Sequence, residues 1–279
     1  MRLGYNTNGL AHHDPVQAIE LLASVGYRSV AITVDQATLN PMQSDWPRQT
    51  EQIRDALHRH EMSSVIETGA RFLLDPARKH WPTLMASQSD DRWQRIEFLS
   101  HCIELARLLE SDCVSLWSGT NDDQLDDETG LERLTEGLNL VLERAEVANM
   151  PIGFEPEPGM FIESLADFER LLQWLDHPLL QLTLDVGHLY CLGELPIADY
   201  VHRWSDRIVN VHIEDMRAGK HEHLMFGDGE MRFPPILEAL HGAGYQGGLH
   251  VELSRHSHMA PAAIQQAHDF LAPLLSRTR

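Results

Sequence analysis

Eight apolar, strand-length runs alternate with stretches of helical periodicity along a 279-residue chain, and the first run leads into "NTNGLAHHDP". Strict alternation of this kind predicts an α/β protein with a parallel sheet. A doubly wound open sheet would place a glycine-rich phosphate loop after its first strand; no GxGxxG follows here. The predicted fold is a single (β/α)8 TIM barrel, with residues 1–279 as one domain, a length ordinary for such barrels. No Pro/Gly/Ser-rich linker or low-complexity tract divides the chain.

In order, the strands are expected at 2–6, 28–34, 63–67, 112–117, 151–155, 180–185, 207–213 and 248–252. Apolar residues recurring at helical spacing fill the intervals, as in Ile96, Leu99, Ile103 and Ala106, or Leu131, Leu134, Leu138, Val141 and Leu142. Asp14 followed by Pro15 reads as an N-cap with proline at the first helical position, and Gly26 closes that helix. Ser164, three residues before Asp167, reads as an acidic capping box. The long connections 35–47 and 68–90 follow strands, so they belong on the C-terminal face, where barrel active sites are built. Their Trp46, Arg71, Phe72 and Trp81 suggest a cover over a substrate.

A net charge of −20 argues against nucleic acid, whose binders carry a basic footprint. No apolar run is long enough to cross a membrane. The opening "MRLGYNTNGL" lacks the pattern of a signal peptide, so the expected location is the cytoplasm. Cys102, Cys113 and Cys191 form no CxxC and are expected to be reduced residues in or near the core.

The stretch "LTLDVGHLY" (182–190) ends an apolar strand on Asp185 and adds His188, two groups costly to bury without partners. Alone it would pass for a capped turn. Three other strands end comparably: Glu155 in "GFEPEPG", His212 in "VNVHIED" and Glu252 in "LHVELSR". These residues close the fifth to eighth strands, about one βα unit apart, so they converge on one mouth. Three carboxylates and an imidazole suit one divalent cation, Mn²⁺, Mg²⁺ or Co²⁺, with Zn²⁺ tolerated. Glu157 shares the parity of Glu155; Glu155 is taken as the ligand, with Glu157 behind it or touching substrate. Trp117, at the end of the fourth strand, is a further substrate-contact candidate.

With those motifs, the chain resembles the xylose-isomerase-like TIM-barrel superfamily, which joins sugar-phosphate isomerases and epimerases to the family-two AP endonucleases. The resemblance is densest from "GFEPEPG" through "LDVGH", "VHIEDM" and "HEHLMFGDGEM" to "HVELSRHSH". It implies a metal site of Glu155, Asp185, His212 and Glu252, with His188 and Arg217 at positions that hold substrate in ketose epimerases. It implies also that Glu155 and Glu252 are the catalytic acid and base. "HEHLMFGDGEM" is similar to the nuclease arm as well, where a histidine in the position of His223 helps to bind further zinc. The nucleases place histidines after strands three and four, where this chain has Glu67, Trp117 and Ser118. Gly227-Asp228-Gly229 reads as a turn, because its aspartate would repel a phosphate. His221, His223, His256 and His258 lie along the same rim, and His223 is the substrate-contact choice among them.

The expected activity is that of a metal-dependent isomerase or epimerase working by proton transfer next to a carbonyl. The substrate is a small ketose, keto acid or keto-cyclitol, enolised with the cation as Lewis acid. A dehydratase or other lyase on a keto-sugar or keto-cyclitol is the alternative, since a β-hydroxyl turns the same enolisation into elimination. A zinc phosphodiesterase of the AP-endonuclease kind is disfavoured. A small sugar or polyol is the expected partner, without nucleic acid or membrane, and self-association as a dimer or tetramer is allowed.

Overall fold

A computed structural model describes residues 1–277 of the chain. Its barrel strands and flanking helices run in order β1 (Arg2–Asn6), α1 (Pro15–Val25), β2 (Ser29–Thr33), α2 (Trp46–Arg59), β3 (Ser63–Glu67), α3 (Ser89–Leu108), β4 (Val114–Leu116), α4 (Asp127–Ala148), β5 (Ile152–Phe154), α5 (Leu165–Trp174) and β6 (Leu180–Asp185). They continue with α6 (Val186–Leu192), α7 (Ile197–Trp204), β7 (Ile208–Ile213), β8 (Asp215–Arg217), β9 (Lys220–Leu224), α8 (Phe233–Gly242), β10 (Gly248–Val251) and α9 (Ala260–Arg277). Eight strands pair in parallel and close as β1-β10-β7-β6-β5-β4-β3-β2. The predicted barrel is the observed one.

Local chemistry explains the boundaries. The Asp14 carboxylate accepts from the backbone N–H of Val16 and Gln17, and Gly26 takes the left-handed conformation (φ 119°) that ends α1. At α5, Ser164 and Asp167 form the reciprocal capping box. The leucine stripe of α4 is fully turned inward, with Leu134, Leu138 and Val141 at 0% exposure. That stripe packs on the outside of the barrel, where most of the hydrophobic core lies between strands and helices.

The inner wall of the barrel differs. A separate small cluster, Ala31, Val65 and Cys113, shares strand faces with Ser29, Thr33, Glu67 and Ser115. The barrel therefore has a partly polar interior, and its polar groups lead up to the mouth.

Three expectations need revision. Residues 215–224 form an antiparallel hairpin, β8–β9, after the seventh barrel strand, an element beyond the eight expected strands. Its three-residue first strand is too short for periodicity to reveal. Trp46 begins α2 and meets His101 of α3 edge-on at 4.7 Å, and Trp81 is buried beneath the Arg78 guanidinium. Neither indole serves as a cover. The loops 35–47 and 68–90 do meet, through Arg71 Nη1 with Asp35 Oδ2 at 3.5 Å and Gln36 Nε2 with the Phe72 carbonyl at 3.3 Å. Cys102 and Cys113 are buried, Cys191 is half-buried, and all three are free.

Candidate metal centre at the barrel mouth

Strand ends deliver the four groups. Asp185 is the last residue of β6 and His212 the penultimate residue of β7, with Asp185 and His212 side by side in register. Glu155 and Glu252 stand one residue beyond β5 and β10. His212 Nδ1 lies 3.0 Å from Glu155 Oε1, 3.0 Å from Glu252 Oε2 and 3.9 Å from Asp185 Oδ2. One donor atom from each of the four falls within 4.8 Å of the others, so the arrangement is a candidate metal-binding group.

Asp185 does two things at once. Its Oδ1 accepts from the backbone N–H of His188 at 2.8 Å and so caps α6. Its Oδ2 is buried and, among the described residues, has no hydrogen-bond partner. The capped-turn reading of LTLDVGH and the ligand reading are both satisfied, one by each oxygen.

Electrostatics show how the cluster is held without a cation. Burial pushes Glu155 up to about 8, against the pull of His212. Burial also opposes ionisation of Glu252, but the charge and hydrogen bond of His212 win and hold it well below the usual carboxylate range. Asp185 is likewise lowered: burial opposes, and His188 and His223 prevail. For His212 itself burial disfavours the charge, yet Glu155, Glu67 and Glu252 raise it well above 6.5. The imidazolium thus supplies the positive charge that these carboxylates require.

The other predicted contacts divide. His188 is buried; its Nδ1 lies 3.2 Å from the Pro156 carbonyl, and its Nε2, 3.6 Å from Asp185 Oδ2, has no hydrogen-bond partner among the described residues. Burial lowers its pKa to about 4, so the ring is neutral and Nδ1–H donates to the carbonyl. Nε2 is then an acceptor facing the site. Glu157 is beside the cluster, pushed well up by burial and then by Glu155. His223 is also present: its ring lies 5.9 Å from that of His188, and His221 Nε2 is 3.2 Å from His223 Nε2. Trp117 packs edge-on against His80 at 5.2 Å. Arg217 is tied down on the hairpin, donating from Nη2 to the Asp228 carbonyl at 2.7 Å. His256 and His258 join none of the candidate metal-binding groups among the described residues. Gly227-Asp228-Gly229 is a turn: Asp215 accepts from the N–H of Gly227, Met216 and Met231, and a Cβ on Gly229 would lie 2.2 Å from Asp215 Oδ1.

Four residues escaped the sequence reading of the site. Asn8 donates from Nδ2 to Glu252 Oε1 at 2.8 Å and fixes that glutamate. Glu67, noted there only as the residue standing where the nucleases have histidine, reaches His212 Nε2 with its Oε1 at 2.9 Å. Asn210 donates to the same oxygen at 3.2 Å. Glu214, fully buried beside Asp185, is pushed well above the usual range by burial and then by that carboxylate. A signal existed: Asn210, His212 and Glu214 are polar at every second position, as on one face of a strand. Beside Asn8 a cleft of 160 Å³, lined by Thr33, Asp35 and Arg71 among others, opens where the two long loops meet.

Known proteins share this fold and parts of this sequence. The chain is 25% identical over 267 residues to the L-ribulose-5-phosphate 3-epimerase UlaE of Salmonella paratyphi A, covering 94% of this chain and 90% of that one. It is 33% identical over 138 residues to the inosose dehydratase of Lacticaseibacillus casei, covering 43% of this chain and only 46% of the dehydratase. In three dimensions it matches the IOLI protein, solved with a binding zinc atom, at a TM-score of 0.77 and 16% identity over 100% of this chain and 99% of that one. Residues 19–274 match a family defined by this fold, and the chain belongs to the xylose isomerase-like TIM barrel family.

Proposed function

We propose that the protein is a divalent-metal-dependent isomerase or epimerase that moves a proton next to a carbonyl on a small ketose, keto acid or keto-cyclitol. The observation that carries this reading is the convergence of Glu155, Asp185 and Glu252 on His212 Nδ1 at the mouth of the barrel. The donor set fits a hard cation, and the unpartnered Asp185 Oδ2 supplies the orphaned buried oxygen that a ligand role would explain. Glu155, Asp185, His212 and Glu252 would hold Mn²⁺, Mg²⁺, Co²⁺ or Zn²⁺. When bound, the cation supplies Lewis acidity that makes the C–H beside a substrate carbonyl more acidic.

The chain's own groups do the rest. One of Glu155 and Glu252 takes the proton and the other returns one to the opposite face or the neighbouring carbon. Their environments already push their proton affinities apart, Glu155 up and Glu252 down. Asn8 keeps Glu252 from rotating away. His188 Nε2 accepts a hydrogen bond from a substrate hydroxyl, and Glu157, whose carboxyl burial holds towards its protonated form, donates one. His223, Trp117 and Arg217 are the outer contacts, Arg217 once its hydrogen bond to the Asp228 carbonyl opens.

A second reading, a dehydratase acting on a keto-cyclitol or keto-sugar, is favoured by the likeness to inosose dehydratase. It needs the same residues and a substrate with a hydroxyl β to the carbonyl. A metal-replete screen of ketoses and keto-cyclitols in D₂O separates the two. Deuterium entering next to the carbonyl, with an isomer or epimer as product, supports the proposal, and loss of water supports the dehydratase. Absence of exchange with every substrate, together with nicking of abasic duplex DNA, would overturn both.

A further inference from the structure

We propose that Glu67 is a positioning residue that presents the Nδ1 lone pair of His212 to the cation, and that a hydrogen-bonded chain across the barrel core aims it. The inference rests on the metal-site reading above. Glu67 Oε1 lies 2.9 Å from His212 Nε2, on the side of the ring opposite Glu155 and Glu252. A carboxylate accepting here keeps the proton on Nε2, so the proton that the imidazolium gives up to a metal is the one on Nδ1.

Behind Glu67 the roles are fixed one after another. Asn210 is 3.2 Å from Glu67 Oε1, so its Nδ2 must face the carboxylate and its Oδ1 must face away. That Oδ1 is 2.8 Å from His250 Nδ1, which therefore holds the ring proton. His250 Nε2 is then the acceptor for the Ser29 hydroxyl at 2.8 Å, and Ser29 accepts from Ser63 at 3.0 Å. Every donation runs towards Glu67, from the N-terminal end of the barrel to the mouth. A single carboxylate sets the tautomers of two histidines and the orientation of one amide.

The core is built around this chain. A Cβ on Gly4 would lie 2.3 Å from His250 Cδ2, and one on Gly248 would lie 2.2 Å from Cε1. Gly4 faces His250 directly in register, so two glycines make the niche for the ring. Glu67 also settles a competition, because Asn210 Nδ2 stands 3.1 Å from His212 Nε2. Without the carboxylate, the amide would donate to Nε2, and the ring proton would move to Nδ1, where it blocks the cation.

The test titrates metal-free protein with Zn²⁺ by calorimetry and reads the His212 Nε2–H signal by ¹H–¹⁵N NMR in the zinc-loaded form. Thermal melts of the metal-free variants establish folding. Glu67→Ala is expected to weaken zinc about 10–100-fold and to abolish or shift that signal, the usual scale for a group supporting a metal ligand. Glu67→Gln, which keeps an acceptor oxygen, is expected to retain the signal and recover part of the affinity. Ser29→Ala, remote from every ligand atom, is expected to weaken zinc less than Glu67→Ala does. Wild-type affinity and an unmoved signal in Glu67→Ala overturn the proposal. Should Glu67→Ala not fold, wild-type affinity in Glu67→Gln together with wild-type affinity in Ser29→Ala overturns it. Failure of the metal-site reading looks different: the wild type takes up no zinc, or Asp185→Asn takes it up undiminished.

Discussion

Replacing Asp185 by asparagine should separate the two tasks of its carboxylate. Oδ1 caps α6 by accepting from the His188 N–H, while Oδ2 has no hydrogen-bond partner among the described residues and lies 3.9 Å from His212 Nδ1. In Asp185→Asn the amide oxygen must stay on that N–H, because two donors cannot pair. The NH₂ group then faces the donor cluster and cannot act as a ligand. The cap survives and the metal contact is lost. Asp185→Ala loses both, and the missing cap should cost about 1 kcal/mol. For a domain of this size that lowers Tm by about 2–4 °C. Metal at a hundred times its dissociation constant should stabilise the wild type by about 2.7 kcal/mol. The same scaling makes the metal-induced rise about 5–11 °C. The assay is a thermal melt of wild type and both variants, each with and without Mn²⁺ or Zn²⁺. Metal-free Asp185→Asn should lose less than Asp185→Ala, because the cap remains and only the carboxylate's attraction to the neighbouring histidines is gone, and metal should raise its Tm little. A full metal-induced rise in Asp185→Asn would refute the ligand assignment, and a metal-free loss as large as that of Asp185→Ala would refute the cap.

Glu155→Gln and Glu252→Gln, each verified to retain metal, should lower turnover about 10²–10⁴-fold, the scale of general acid–base groups; near-wild-type turnover in both would leave them as ligands only. Metal uptake should depend on pH. Glu155, pushed up to about 8 chiefly by burial, keeps its proton at pH 7 in the metal-free protein, so binding must displace it. Affinity should therefore climb with pH from 6 towards 8 by at least about tenfold per unit, because the His212 Nδ1 proton must leave as well, with proton release in unbuffered titration; a flat profile contradicts this. Gly4→Ala should cost about 1–3 kcal/mol in urea unfolding, because the new methyl drives into the His250 ring. An unchanged midpoint would show that the ring moves aside freely.

The barrel was legible because it rests on local regularities. Period-two and period-3.6 patterns place strands and helices, and the Asp14, Gly26 and Ser164 caps are read within a few residues of chain. The four candidate ligands were legible for a related reason: a parallel barrel brings all strand ends to one mouth, so a chemically suited residue at each end is a spatial statement. The hairpin 215–224 was not legible, since three residues carry no period. Nor were the places of Trp46 and Trp81, where an aromatic in a long loop packs equally well inward or over a site.

What composition and spacing determined by themselves was the fold, the acidic surface charge and the residues that could meet. Pairing across the barrel was decided by tertiary structure alone. Glu67 and His212 are separated by 145 residues, and Asn8 and Glu252 by 244, so no local pattern relates them. Strand tilt and register choose which inward side chains touch, and they turn a glutamate at the end of the third strand into the partner of a histidine on the seventh. Ligand candidates follow from where strands end; how each is held follows only from how the barrel closes.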